Sequence, residues 1–437
     1  MTNSDMTARS LAAVWHPCTQ MKRHERLALV PIARARGPWL YDFEGRRYLD
    51  AVSSWWVNLF GHGHPAIDAA IRDQIGSLEH VMLAGFTHEP AIVLAERLAR
   101  LAPGNLGHAF FASDGASATE IALKMAFHYW ANRGRAGKRR FISLQGGYHG
   151  ETVGALGVTD VAIFRDAYAP LLRESLLAPF PSRDAADHRF GGMQAAIEAA
   201  RALEALLEAH RGEVAALIVE PLVQGASGMR FYHPEYLRRA RELCTRHEVL
   251  LVADEIMTGF GRTGTMFACE QANVAPDLMC LSKGLTGGYL PLSCVLATDE
   301  VYAAFYDDDT ARAFLHSHSY TGNALACRAA CAVLDLFERE DVIAANERKA
   351  ARFVAAAATL AHHPGVRDFR HLGMIWAFEV ANAPRDFAER AFELALARAK
   401  RQRQQQECGE QRAHQANAST MAAPAATIWA NSASSTT

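Results

Sequence analysis

The chain has 437 residues, half of them hydrophobic, and its 47 acidic and 45 basic side chains leave a formal charge of −2. Such a length can bury the cores of two domains, and so balanced a charge gives no footing for nucleic acid or a charged membrane as partner. No apolar run is long enough to span a bilayer, and the opening MTNSDMTARS lacks an apolar signal core, so the expected setting is the cytoplasm. Cysteines 18, 244, 269, 280, 294, 327, 331 and 408 form no CxxC pairs, and several lie in apolar stretches. That pattern reads as free, buried thiols in a reducing compartment.

In chain order, residues 1–65 hold few long periodic segments. Trp15-His16-Pro17-Cys18-Thr19-Gln20 reads as an entry loop, and Gly37 to Asp50 as a hairpin of two alternating strands around Glu44-Gly45. Ser53-Ser54-Trp55-Trp56 places two tryptophans in a loop, where both are rarely core; one packs inward or lines a pocket with equal claim. His62 and His64 have no further metal ligand nearby and read as structural. Pro65 sits where a helix begins, and 66–77 and 88–103 carry helical spacing, the second stopped by Pro103-Gly104.

From His108 the pattern changes to alternating strands and helices. His108–Ala112 is a strand that runs through Ser113-Asp114-Gly115-Ala116 into a helix ending near Arg133. A strand, a small-residue turn and a helix start can hold a phosphate on free N–H groups, although many strand–helix junctions look alike. Phe141–Leu144 leads to Gln145-Gly146-Gly147-Tyr148-His149-Gly150, where a tyrosine among glycines reads as a surface loop residue. Residues 193–211 and 234–247 are helical, and Val214–Val219 is a strand ending at Glu220-Pro221. The alternation over 108–298 predicts a parallel sheet, with Val295 on an antiparallel strand.

Residues 248–293 carry the chemistry. The buried run Val249–Val252 ends at Asp254-Glu255, and Asp277–Leu281 ends at Ser282-Lys283-Gly284. Two strands thus deliver an acid and a lysine to their carboxyl ends, the edge where ligands sit in open α/β sheets. By spacing alone Lys283 is either a solvated loop lysine or an amine that forms a Schiff base with a carbonyl cofactor. Asp254 would then hold a pyridine nitrogen protonated. Further on, His316 to Asn323 is a polar turn before helices 323–338 and 341–361, and Val366–Arg370 and Met374–Val380 read as two strands of a small sheet.

Asp254-Glu255-Ile256-x-Thr258-Gly259-x-Gly261-Arg262-Thr263-Gly264, followed by Ser282-Lys283-Gly284, resembles the signature of the class III aminotransferases. These are fold-type I enzymes dependent on pyridoxal 5′-phosphate (PLP). The resemblance implies an α/β fold: a large, mostly parallel seven-stranded sheet domain and a smaller α+β domain built from both termini. It divides the chain at 1–65, 66–335, 336–399 and a tail, 400–437. It implies Lys283 as the Schiff-base lysine, Asp254 on the pyridinium nitrogen, Gly115 and Ala116 at the phosphate, and Tyr148 against the ring with His149 behind. It also implies a homodimer, in which Ser319, with Ser317 close, reaches the partner's phosphate.

Within the family, Trp15-His16-Pro17, Ser53-Ser54-Trp55-Trp56 and Gly228-Met229-Arg230-Phe231-Tyr232-His233-Pro234-Glu235 resemble one branch. Its members move an amino group from S-adenosyl-L-methionine to 8-amino-7-oxononanoate in biotin synthesis. That likeness implies Trp55 and Tyr148 as walls of the substrate pocket, with Gly61, Arg262 and Ser317 beside them. Cys18 stands where a tyrosine often follows His-Pro. Another ω-aminotransferase with a lysine or diamine donor, and a catalytically impaired PLP-binding chain, stay open. A dehydrogenase is a poor reading, because no G-x-G-x-x-G follows an early strand.

Beyond Ala399 the likeness stops. The tail is rich in Gln, Ala, Ser and Thr, which predicts disorder. The family's further strand, its carboxylate-binding arginine and its final helix are not found there. A shifted reading frame, or a replaced end, near residue 399 is the hypothesis, and resequencing the gene tests it; an unchanged frame through 437 would end it.

Overall fold

The structure is a computed structural model and describes residues 1–182 and 192–399. The expected tail from residue 400 lies outside the described residues. Contacts divide the described residues into two units, residues 66–379 and residues 1–65 with 380–399. The helix Val342–Ala356 and most of the strand pair after it fall in the larger unit.

In the smaller unit, strands β1 (Ile32–Arg36), β2 (Trp39–Asp42) and β3 (Arg47–Leu49) form an antiparallel sheet in that order. The expected hairpin turn is held by Asp42, whose carboxylate accepts from Glu44 N at 3.0 Å, Arg46 N at 2.8 Å and the Tyr48 hydroxyl at 2.8 Å. A helix, Asn3–Ala13, precedes the sheet. Its periodicity was too weak to read, because it buries no side chain; Thr2 caps it, accepting from Asp5 N at 3.1 Å.

The Ser-Ser-Trp-Trp segment is a single turn of left-handed backbone and not an open loop. Ser53, Ser54, Trp55 and Trp56 have φ of 52°, 49°, 64° and 63°. For side-chain-bearing residues that hand costs about 1–2 kcal/mol each. Trp55 is 56% exposed, and Trp56 is partly buried.

The larger unit is built on the expected seven-stranded sheet. Its strands are β4 (His108–Ala112), β5 (Arg140–Leu144), β6 (Leu176–Ala178), β7 (Val214–Val219), β10 (Leu250–Asp254), β11 (Leu278–Leu281) and β12 (Ser293–Ala297). A two-stranded ribbon, β8 (Val223–Gln224) and β9 (Arg230–Phe231), stands apart, as does the pair β13 (Val366–Leu372) and β14 (Ile375–Val380). The order across the sheet is β4-β12-β11-β10-β7-β5-β6, and β12 runs antiparallel to both neighbours. The other contacts are parallel. β7, β10, β11 and β12 are buried along their whole length, which explains their unbroken apolar runs.

The helix Gly115–Asn132 lies on this sheet. Ile121, Ala122 and Met125 share a core with Ile218, Val252, Leu278 and Val295, and Trp130 Nε1 donates to Ala215 O at 2.8 Å. The topology places the turns after β4, β5, β7, β10 and β11 on one edge. Among the described residues no helix is long and apolar enough to cross a membrane, no group of three His, Cys, Asp or Glu could hold a metal, and no cysteine is in a disulfide.

Glu255, directly after β10, is fully buried. Its carboxylate accepts from Cys269 N at 2.8 Å and from the Thr258 hydroxyl. Burial pushes this carboxyl up to about 7, against the pull of those donors. The folded chain therefore holds the proton more tightly than the unfolded one, and the group's contribution to stability is full below the unfolded value and lost as pH rises through 7. Glu255→Gln removes that titration. Denaturant melts at pH 5 and pH 8 are expected to show the variant gaining on wild type by on the order of 2–3 kcal/mol at the higher pH; equal differences at both would refute the assignment.

Candidate active site

Lys283 follows β11 with φ of 42° and opens a short turn, Lys283–Thr286. The hydroxyl of Ser282 donates to Leu292 O at 2.9 Å and ties this corner to β12. Burial strips water from the Lys283 ammonium and pushes its pKa down. The charges of Asp254 and Glu220 act in the other direction, and Arg262 adds to the lowering. The lysine thus lies in the field of two acids from neighbouring strands.

Asp254 ends β10, and His149 Nδ1 meets its Oδ2 at 2.7 Å with both side chains nearly solvent-free. A carboxylate only accepts, so the imidazole carries its proton on Nδ1. Ile256 N donates to the other oxygen at 3.2 Å. His149 is itself fixed through its N–H, which donates to Thr159 Oγ1 at 3.0 Å. Its buried Nε2 has no partner among the described residues.

Glu220 was not singled out by sequence. It follows β7, is buried, and accepts from Tyr148 N at 3.0 Å and Gly225 N at 2.9 Å. Burial pushes its carboxyl up to about 7; His149 opposes this and Asp254 adds to it. The usable signal was a glutamate at the carboxyl end of a wholly apolar strand, on the same edge as Asp254 and Lys283.

The turn after β4 makes the third side. Asp114 caps the helix: its carboxylate accepts from Ser117 N at 2.9 Å, and its carbonyl accepts from Ala118 N at 3.1 Å. The N–H groups of Gly115 and Ala116 are left without an acceptor among the described residues. A Cβ on Gly115 would stand 3.0 Å from Ile256 Cγ2, so this turn packs on the residue two after Asp254. Gly150, with φ of 122°, passes so close that a Cβ there would be 2.6 Å from Ala116 Cβ. Glycine alone fits, and the loop carrying Tyr148 and His149 therefore lies on the cradle. Tyr148 is partly buried, its hydroxyl donating to Glu151 at 2.9 Å and its ring 5.4 Å from Phe164.

Structure brings together Lys283, Asp254, His149, Gly115, Ala116 and Tyr148. Arg262 is buried nearby, its guanidinium pushed down to about 10 by burial, and its carbonyl accepts from Met374 N at 2.8 Å. Ser317 and Ser319 are exposed, and Ser319 O accepts from His80 Nε2 at 2.8 Å. Trp55 and Gly61 belong to the smaller unit. There Gly61, with φ of 80°, leaves room for the Gly37 backbone, which a Cβ would meet at 2.9 Å.

An amine in the field of a histidine-bonded carboxylate, beside a helix start with free N–H groups, can hold and react with a carbonyl compound that bears an anion. Comparison with known proteins agrees. The chain matches the aminotransferase class-III family over residues 20–401. It is 46% identical to the adenosylmethionine-8-amino-7-oxononanoate aminotransferase of Helicobacter pylori, over 86% of this chain and 85% of that one. The crystal structure of the enzyme of that name from Methanocaldococcus jannaschii superposes with a TM-score of 0.84 at 36% identity, covering 91% of each chain. The ω-transaminase of Pseudomonas jessenii in complex with PMP gives 0.83 at 27%, covering 89% of this chain and 90% of that one. With its lysine, its acid and the start of the helix after β4 on one sheet edge, the chain belongs to the class-III aminotransferases.

Proposed function

We propose that this chain moves the amino group of S-adenosyl-L-methionine to 8-amino-7-oxononanoate, giving 7,8-diaminononanoate, with PLP held at Lys283. The observation that carries the chemistry is Lys283 set against Asp254, which His149 orients. The substrates come from the relatives named for them, at 46% and 36% identity. When bound, PLP supplies an aldehyde that condenses with amines and a protonated ring that draws electrons from the donor's α-carbon.

The residues fit that group. Gly115 and Ala116 offer two N–H groups at a helix start for its phosphate. Asp254 would hold its ring nitrogen, and Tyr148 would cover its face. Burial holds the Lys283 amine below the ordinary lysine range, which raises its neutral, nucleophilic fraction. With the cofactor in place, Lys283 Nζ would be the proton carrier of the reaction, accepting at the donor's α-carbon, passing that proton on to the cofactor, and in the second half-reaction carrying one from the cofactor to the acceptor's carbon. His149 keeps the Asp254 carboxylate aimed through its Nδ1–H bond. Trp55, Tyr148, Gly61, Arg262 and Ser317 serve the substrates.

The working form is a homodimer in the cytoplasm, in which Ser319 reaches the partner's phosphate. Support comes from exposed apolar side chains on two neighbouring loops: Met82 (55%), Phe86 (58%), Leu315 (76%) and Tyr320 (66%). His80 bonding Ser319 O, and Asn323 Nδ2 donating to Glu79 O at 3.1 Å, stitch these loops together. Such a patch marks an interface.

S-adenosyl-L-methionine added alone to the PLP-loaded protein is expected to convert the cofactor's visible absorption band, and Lys283→Ala to slow that conversion by at least about 10²-fold. A band that ignores S-adenosyl-L-methionine but responds to lysine or a diamine would redirect the donor. Leu315→Asp with Tyr320→Asp is expected to lower the sedimentation mass to that of one chain and to release cofactor. An unchanged mass would sink the proposed interface.

A further inference from the structure

Side-chain-bearing residues leave the left-handed region unless something outside the turn keeps them there, because each sets its Cβ against the following carbonyl. Four stand there in succession from Ser53 to Trp56. What keeps them is Asp50. Its Oδ1 accepts from Ser54 N at 2.9 Å, and its Oδ2 accepts from the Ser54 hydroxyl at 2.7 Å. The same Oδ2 accepts from His62 Nε2 at 2.9 Å. The carboxylate has no hydrogen to give, so amide, hydroxyl and imidazole must all turn their protons toward it.

His62 is in turn a fixed post. Its N–H donates to Gly37 O and its carbonyl accepts from Gly37 N, both at 2.8 Å. The absence of a Cβ at Gly61 lets these backbones meet. Asp50 N donates to Pro38 O at 2.9 Å. Both supports of the turn are thus anchored on the two residues before β2. The rigid turn carries Trp55, a large apolar ring left 56% exposed. A network needed only for folding has no call to hold such a ring outward.

We propose that Asp50, steadied by His62, is a positioning residue that fixes the Trp55 indole for substrate recognition. This rests on the reading above of Trp55 as a substrate-contacting side chain. Asp50 then acts on specificity and not on proton transfer: it sets how the acceptor is held and leaves Lys283 its work. His62, whose sequence setting reads as structural, braces this carboxylate.

The test uses the full PLP-loaded chain with 8-amino-7-oxononanoate as varied substrate. Near-UV circular dichroism reports the Trp55 environment as the wild-type spectrum minus that of Trp55→Phe. Asp50→Ala is expected to raise KM about tenfold while kcat moves less than about threefold, and to abolish the Trp55 signal. Adding Ser53→Gly and Ser54→Gly to that variant should recover part of both, because glycine takes left-handed backbone without a Cβ. Should Asp50→Ala fail to fold, His62→Phe, which removes one bond of the three, is expected to give a smaller KM rise of about two- to threefold. The inference is overturned if the Asp50 or His62 variant keeps its KM while Trp55→Ala raises it, or if the glycines restore nothing. If Trp55→Ala itself leaves KM unchanged, the substrate role of Trp55 fails, and dichroism still shows whether Asp50 holds the turn.

Discussion

One buried hydrogen bond, from His149 Nδ1 to Asp254 Oδ2 at 2.7 Å, is the contact on which the site depends. β10 is buried along its whole length, so the carboxylate at its end has little water to hydrate it. His149 supplies the strongest donor within reach, and the Ile256 N–H supplies another. Glu220, one strand away, is a second buried acid on this edge; it accepts from two backbone N–H groups, and burial pushes its carboxyl up to about 7.

The loops around this bond are held by contacts with no slack. Gly115 packs on Ile256, and Gly150 packs on Ala116. The turns after β4, β5 and β10 therefore set one another's positions. A side chain added at either glycine would separate the acid, the histidine or the turn after β4 from the other two. Rigid elements fix reacting groups in this way more closely than free loops can.

Much of this was legible because the chemistry sits where a period changes. Val249–Val252 and Asp277–Leu281 are apolar runs that stop at charged residues, and the structure puts strands at both. Gly115 and Ala116 were readable because a strand and a helix flank them. Glu220 escaped notice because Glu-Pro after a strand looks like an ordinary turn, and its burial depends on Gly225 and Tyr148, which lie elsewhere in sequence. The left-handed turn escaped for a different reason. Ser-Ser-Trp-Trp contains no glycine, and the force that bends it comes from Asp50 and His62. The helix Asn3–Ala13 hid because it buries nothing, and so it has no apolar stripe.

The sheet order has a consequence for how the chain is made. β4, which leads into the turn of Gly115 and Ala116, is an edge strand whose neighbour is β12. β12 spans Ser293–Ala297, long after β4 in the sequence. During synthesis the cradle strand must wait, unpaired, until the ribosome has delivered the lysine corner and the strand beyond it. Contacts so distant in sequence form late and slowly. The turn that carries Gly115 and Ala116 therefore gains its neighbour in the sheet only after the Lys283 corner has been made.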